Sequence, residues 1–289
     1  MSRIEDALNK LRRPGVPGSA ATPTARSPVP IASKKKVTVE GEKHHVSPTD
    51  LMAGGLLAPL DQAIGVADEF RKIKRPLIAN ATKVGPEAVD GMNVIMIASA
   101  MPGAGKTFCA VNLAASISLE RELNVLLVDA DVPKPHISRE FGLGEAPGLI
   151  DLLLDERSHV GDFLVRTDLN DILVLPAGRR HPQATELLAS DRMSQIVREL
   201  ASRYRDRIVL LDSPPLLITS EAQALASQVG QIALIVEAGK TSHQMLANVL
   251  EALDPGKAIN LILNKTRRFV GGSYYGGDYG YYPTHDKRE

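Results

Sequence analysis

Three stretches of this sequence carry residue types whose spacing could do chemistry. The densest is Ala100-Met101-Pro102-Gly103-Ala104-Gly105-Lys106-Thr107, followed by Phe108. Glycines at 103 and 105 let the backbone curl until several N–H groups face one phosphate, and a helix starting there adds the positive end of its dipole. Lys106 supplies a compact charge, and the Thr107 hydroxyl is a hard oxygen suited to Mg²⁺. The spacing fits the phosphate-binding loop pattern with Ala100 in place of the first glycine. As a bare string it is moderately specific; between a strand and a helix it is strong.

The second stretch is acidic and divided. Val125–Val128 runs into Asp129-Ala130-Asp131, and Ile208–Leu211 runs into Asp212-Ser213-Pro214-Pro215. An Asp closing a strand is usually a turn former or helix cap. With a phosphate loop upstream, the same acids become candidates for holding a metal ion or accepting a proton. The third stretch is the tail, residues 267–289. It holds Tyr274, Tyr275, Tyr279, Tyr281 and Tyr282, five of the six tyrosines, interleaved with glycines. Such composition predicts a flexible segment offering phenol hydroxyls with reach. Each phosphorylation would add about −1.5 to −2 charge.

Positioning these groups requires a sheet. Short apolar runs at Val94–Ala98, Val125–Val128, Ile172–Leu175, Ile208–Leu211, Ile232–Val236 and Ile259–Leu263 alternate with helical stretches such as Thr107–Leu119, Met193–Tyr204 and Ser242–Leu253. Continuous apolar strands separated by helices predict an α/β, doubly wound, mostly parallel sheet flanked by helices. Upstream, the periodicity of Leu60, Ile64, Ala67, Phe70 and Ile73 predicts a helix over 60–74, ended by Pro76. Residues 1–13 read as a short helix with Ile4, Ala7, Leu8 and Leu11 on one face. Residues 14–59, rich in Pro and Ser, read as a flexible linker. The core domain is 60–266.

Composition excludes other classes. Lys+Arg and Asp+Glu are both 34, which argues against a broadly basic nucleic-acid binder. Cys109 is the single cysteine, so an intramolecular disulfide and a cysteine-clustered metal site are excluded. No uninterrupted apolar run approaches roughly 18 residues. His44, His45 and His181 read as solvated histidines, and Cys109 as a small core residue.

Taken together, these residues resemble the bacterial tyrosine kinases, polysaccharide co-polymerase-associated autokinases whose domain is similar to the MinD/ParA class of P-loop ATPases. The Ser2-x-Ile4-Glu5-x-Ala7-Leu8 opening with its proline-rich linker resembles the subgroup beside exosortase-linked loci. The resemblance implies binding of ATP and Mg²⁺ over Pro102–Phe108, with Asn264 at the adenine. It implies a catalytic role for Lys106, with Asp129 as base for the tyrosine hydroxyl, and Thr107, Asp131 and Asp212 on the metal; the division among the three acids stays open. It implies phosphorylation of the tail in trans and a homo-oligomer, such as a ring, joined through Asp68-x-x-Arg71-x-x-Lys74. A separate transmembrane chain-length-determinant partner, other tyrosine substrates in polysaccharide synthesis, and a peripheral cytoplasmic place on the inner membrane face complete the implication. Pro133 departs from the family's usual Asp-x-Asp-x-Arg, so that arginine's function is lost or moved to Lys134. The alternatives are a MinD/ParA-like switch ATPase, against which Met101 stands where a signature lysine is expected, and a nucleotide-binding scaffold without significant kinase activity.

Overall fold

The computed structural model describes residues 42–85, 88–204 and 206–266. The predicted N-terminal helix and the tyrosine-rich tail lie outside the described residues. Every apolar run becomes a strand: β1 (Val94–Ser99), β2 (Asn124–Asp129), β4 (Leu173–Leu175), β5 (Arg207–Asp212), β6 (Gln231–Glu237) and β7 (Ala258–Asn264). A two-residue strand, β3 (Val165–Arg166), was not foreseen. The order is β3-β4-β2-β5-β1-β6-β7, parallel throughout except the antiparallel β3–β4 pair. Along β1, Val94, Met96 and Ala98 enter one apolar core while Ile95 and Ile97 enter another. Both faces are therefore covered, which is why the strand reads as unbroken apolar sequence.

The helices are α1 (Pro48–Ala53), α2 (Ala63–Ala81), α3 (Lys106–Ile117), α4 (His136–Glu140), α5 (Leu149–Leu154), α6 (Ala184–Leu188), α7 (Asp191–Arg203), α8 (Ser220–Gln228) and α9 (His243–Ala252). Helix α7 shows how locally the sequence specifies them. Ser190 accepts from Met193 N at 3.3 Å as its cap. Met193, Ile196, Val197 and Leu200 form its buried stripe.

Three expectations are corrected. The linker does not extend to residue 59, because Val46, Leu51 and Leu56 are buried and Pro48–Ala53 is helical. Nor does Pro76 end α2, which runs on to Ala81. Proline inside a helix costs about 3 kcal/mol. Beyond it, however, Leu77 is fully buried. Gln231 Nε2 donates to the Leu77 carbonyl and Asn80 Nδ2 to Gln231 Oε1, both at 3.1 Å, tying the last turns to the sheet.

The third correction concerns the helix face. Leu60 and Ile64 are exposed, and the buried positions are Phe70, Lys74 and Leu77. Lys74 is only 4% exposed. Its Nζ donates to the Ser116 carbonyl at 2.5 Å and pairs with Glu120 at 2.7 Å, holding that carboxyl below its ordinary range. It is an internal strut onto α3 rather than an outward docking residue. Asp68 and Arg71 remain exposed, paired with each other at 2.6 Å.

Lys74→Ala is expected to lower stability to urea by about 1–3 kcal/mol, while Lys74→Met, which keeps the stem's volume, loses less. Equal midpoints for Lys74→Ala and the unaltered chain would contradict the internal role.

Candidate active site

Register delivers the acids. Asp129 on β2 is the direct partner of Asp212 on β5, so both side chains leave the same face of the sheet at its carboxyl edge. Ala130 N donates to Asp212 O at 2.9 Å, and Leu216 N donates to Ser99 O at 2.9 Å, fastening the loop after β5 to the end of β1. Strand β1 leads directly into the phosphate loop. There Gly103 and Gly105 take φ of 80° and 96°, the left-handed region that side chains disfavour. Gly105 has a second reason to be glycine: a Cβ would collide with the Asn264 amide. Helix α3 begins at Lys106 with no side-chain cap and no acid in its first turn, so its positive end stays open.

Asp129 and Asp212 are fully buried. Burial pushes Asp129 up to about 7, against two hydrogen bonds that its Oδ2 accepts from Ser138, N at 2.8 Å and Oγ at 2.7 Å. Burial, then the neighbouring Asp129 charge, pushes Asp212 up to about 8. Lys106 and the Thr107 hydroxyl oppose that rise, yet neither Asp212 oxygen has a hydrogen bond of acceptable geometry. Asp129 Oδ1 is likewise unpartnered. Burial lowers the proton affinity of Lys106, with Asp212 and Asp131 opposing the fall. Asp131 is raised by burial and restrained by Lys106.

A cavity of about 480 Å³ opens in front of these groups. Of the expected site residues, Pro102, Gly103, Gly105, Lys106, Thr107, Phe108 and Asp131 line it, while Ala104 is buried and Asp129 and Asp212 lie outside the lining. Asp131 is therefore the acid presented at the surface. Pro133, Lys134 and His136 share that wall, so Lys134 adds a second cation to the cavity beside Lys106. Asn264 lies elsewhere, in a second cavity of about 460 Å³ with Phe108 and Lys265. Its Nδ2 donates to Ala104 O at 2.8 Å, so it braces the loop.

The residues fit a magnesium nucleotide. Three orphaned carboxylate oxygens sit close to a lysine, a threonine hydroxyl and an uncapped helix start, an unbalanced set of hard donors beside an anion cradle. Among the described residues no cluster of three or more His, Cys, Asp or Glu forms a closed metal cage. Mg²⁺ needs none, because it usually keeps waters and shares phosphate oxygens.

Sequence reasoning missed several contributors. Ser138 holds Asp129 from nine positions away, donating its hydroxyl to that carboxylate while its Oγ accepts from Ala177 N at 2.9 Å. Lys265 donates to Gly103 O at 2.6 Å and pairs with Glu237 at 3.1 Å. The Asn264-Lys265 pair closing an apolar strand was a legible signal for the latter; nothing local marked Ser138.

Fold and site define a P-loop nucleotide-binding α/β protein. A family model described as an AAA domain matches residues 92–260, more than half of the chain. Tyrosine-protein kinase YwqD of Bacillus subtilis is 32% identical over 197 residues, 68% of this chain and 79% of that protein. The succinoglycan biosynthesis transport protein ExoP of Rhizobium meliloti is 33% identical over 216 residues, 72% of this chain but 26% of its own length, so the chain spans about a quarter of that relative. The solved kinase domain of Escherichia coli tyrosine kinase ETK is 29% identical, covering 65% of this chain and 73% of that one with a TM-score of 0.56. The chain belongs to the bacterial protein-tyrosine kinase family.

The buried acids also set a pH dependence. Their folded proton affinities lie above the ordinary 3.8. From about pH 4 upward the unfolded chain releases protons that the folded chain keeps, so these groups subtract stability as pH rises to about 8. Asp212→Asn is expected to flatten that decline and to raise the melting temperature of the nucleotide-free protein at pH 8, by roughly 2–4 °C per kcal/mol relieved. An unchanged or lower melting temperature at pH 8, with the fold intact by circular dichroism, would contradict an unsatisfied carboxylate.

Proposed function

We propose that this chain binds ATP with Mg²⁺ and transfers the γ-phosphoryl group to tyrosines of its own C-terminal cluster, Tyr274, Tyr275, Tyr279, Tyr281 and Tyr282, in trans between copies. The observation that carries the reading is the set of unpartnered Asp129 and Asp212 oxygens beside Lys106 and Thr107. Bound Mg²⁺ would neutralise developing charge on the phosphoryl oxygens. The chain's own residues do the rest. Lys106 and the loop amides orient the phosphates, and Thr107 and Asp212 hold the metal or its waters. The phenol proton passes to the Asp131–Asp129 carboxylates, Asp131 at the cavity surface and Asp129 behind it with a proton affinity near neutral.

Assembly of copies is proposed through the exposed Asp68–Arg71 face of α2, without Lys74. Exposed Leu60 and Ile64 near the start of that helix support it. The regulated process is proposed to be exopolysaccharide synthesis, chain length or export, on the strength of the similarity to ExoP, a succinoglycan biosynthesis transport protein. A separate membrane co-polymerase is proposed as partner, holding the chain peripherally at the inner face of the cytoplasmic membrane. No described helix is long and apolar enough to cross a membrane.

The test mixes two altered chains with Mg²⁺ and labelled ATP: Lys106→Ala, which keeps its tyrosines, and a chain ending at Val270, which keeps the site. Label on the Lys106→Ala chain only when both are present is the expected result. Hydrolysis without tyrosine labelling, in the mixture and in the intact chain, would point to a switch ATPase instead.

A further inference from the structure

Residues 44–57 precede the domain expected from sequence, yet they help to build the cavity that holds Lys106. His44 bridges Thr167: its N–H donates to Arg166 O at 2.8 Å, and its carbonyl accepts from Asp168 N at 3.0 Å. Asp168 completes the clasp, Oδ1 accepting from Val46 N at 2.9 Å and Oδ2 meeting His45 Nδ1 at 2.6 Å. The His44 ring contacts the Phe141 carbonyl, just past α4, at 2.7 Å. Beyond the clasp, Val46, Leu51 and Leu56 are buried in the same core as Cys109, Val111, Ile137 and Phe141. The Leu56 carbonyl then accepts from Asn112 Nδ2 on α3 at 2.8 Å. The arm thus joins the wall that follows Asp131 to the helix that carries Lys106. Its turn, Gly54-Gly55-Leu56, forms part of the cavity lining beside Lys106, Asp131 and Lys134.

We propose that this arm is an in-chain wall of the nucleotide cavity and that the Gly54-Gly55 turn is a positioning element facing the anionic part of the ligand. The proposal rests on the nucleotide reading above. Two cations, Lys106 and Lys134, and one acid, Asp131, lie in the same lining, a net positive wall that suits an anionic ligand, and a charge placed on the arm acts on such a ligand across the cavity. Gly55 permits a direct probe. Its φ is +71°, and a Cβ built on it meets nothing within 4 Å. Asn and Asp both tolerate this left-handed backbone and are nearly the same size, so the pair differs in charge and in the amide donor that replaces one carboxylate oxygen.

The experiment compares Gly55→Asp with Gly55→Asn in the full chain, measuring the Kd for Mg²⁺·ADP by calorimetry at two ionic strengths. Gly55→Asp is expected to bind roughly three- to ten-fold more weakly than Gly55→Asn, with the gap narrowing as salt is raised. Equal affinities for the two variants, beside an unaltered chain that binds well, would overturn the arm's role and leave the nucleotide reading standing. An unaltered chain that binds no Mg²⁺·ADP would overturn both.

Discussion

Two carboxylates held side by side and out of water are the constraint around which the rest of this structure is arranged. Parallel strands β2 and β5 bring Asp129 and Asp212 into register. Burial makes ionising both costly, and each raises the other's difficulty. Inside the protein the opposition is partial: Ser138 satisfies one oxygen of Asp129, and Lys106 and Thr107 act on Asp212. The fold leaves three oxygens without partners where three strand ends converge. The proposed magnesium nucleotide would supply the missing positive charge and the missing ligands together, so the same imbalance that weakens the empty protein would favour the loaded one.

The phosphate loop is made rigid from behind. Asn264 and Lys265, at the end of edge strand β7, bond to the carbonyls of Ala104 and Gly103. Occupying those carbonyls from one side keeps the loop's amide groups directed to the other, where an anion is to be bound. Glu237 closes the circuit: it pairs with Lys265 and Lys240, which hold it below the ordinary carboxylate range. The loop's shape therefore depends on strands β6 and β7 as much as on its own glycines.

What could be read from sequence was whatever a short window encodes. The strands announced themselves because both faces of the sheet are covered, and the phosphate loop because its pattern sits within eight residues. The misreadings share a cause. Pro76 is a helix breaker by local chemistry, yet Leu77 and Gln231, which hold the helix together beyond it, belong to packing and to a strand distant in sequence. Lys74 looked like an outward charge until Ser116 and Glu120 supplied an internal partner set. The arm around Leu51 and Leu56 was read into the linker although Leu51, Met52, Leu56 and Leu57 are apolar, because Pro48, Gly54, Gly55 and Pro59 break its pattern into pieces too short to show a periodic face. Ser138 had no motif at all, because its role follows from the loop geometry after Asp131.

The route of the chain out of the described fold bears on which copy's tyrosines a site can receive. Thr266, the last described residue, lines the cavity shared with Asn264 and Lys265, separate from the one lined by Asp131 and Lys134. Lys265, bonded to Gly103, pins the point of departure beside the loop. Tyr274 follows eight residues after Thr266, so its reach from that point is at most roughly 29 Å of fully extended chain. A path from one side of the loop to the other uses up length in turning, and near-attack alignment requires a phenol oxygen within about 3–3.5 Å of the reacting atom. The nearest tyrosines are thus the most constrained for an intramolecular approach, while a neighbouring copy is bound by no such tether. The proposed delivery between copies would then depend on how closely an assembly held one chain's departure point to the next chain's cavity, tying transfer to oligomer geometry through effective concentration.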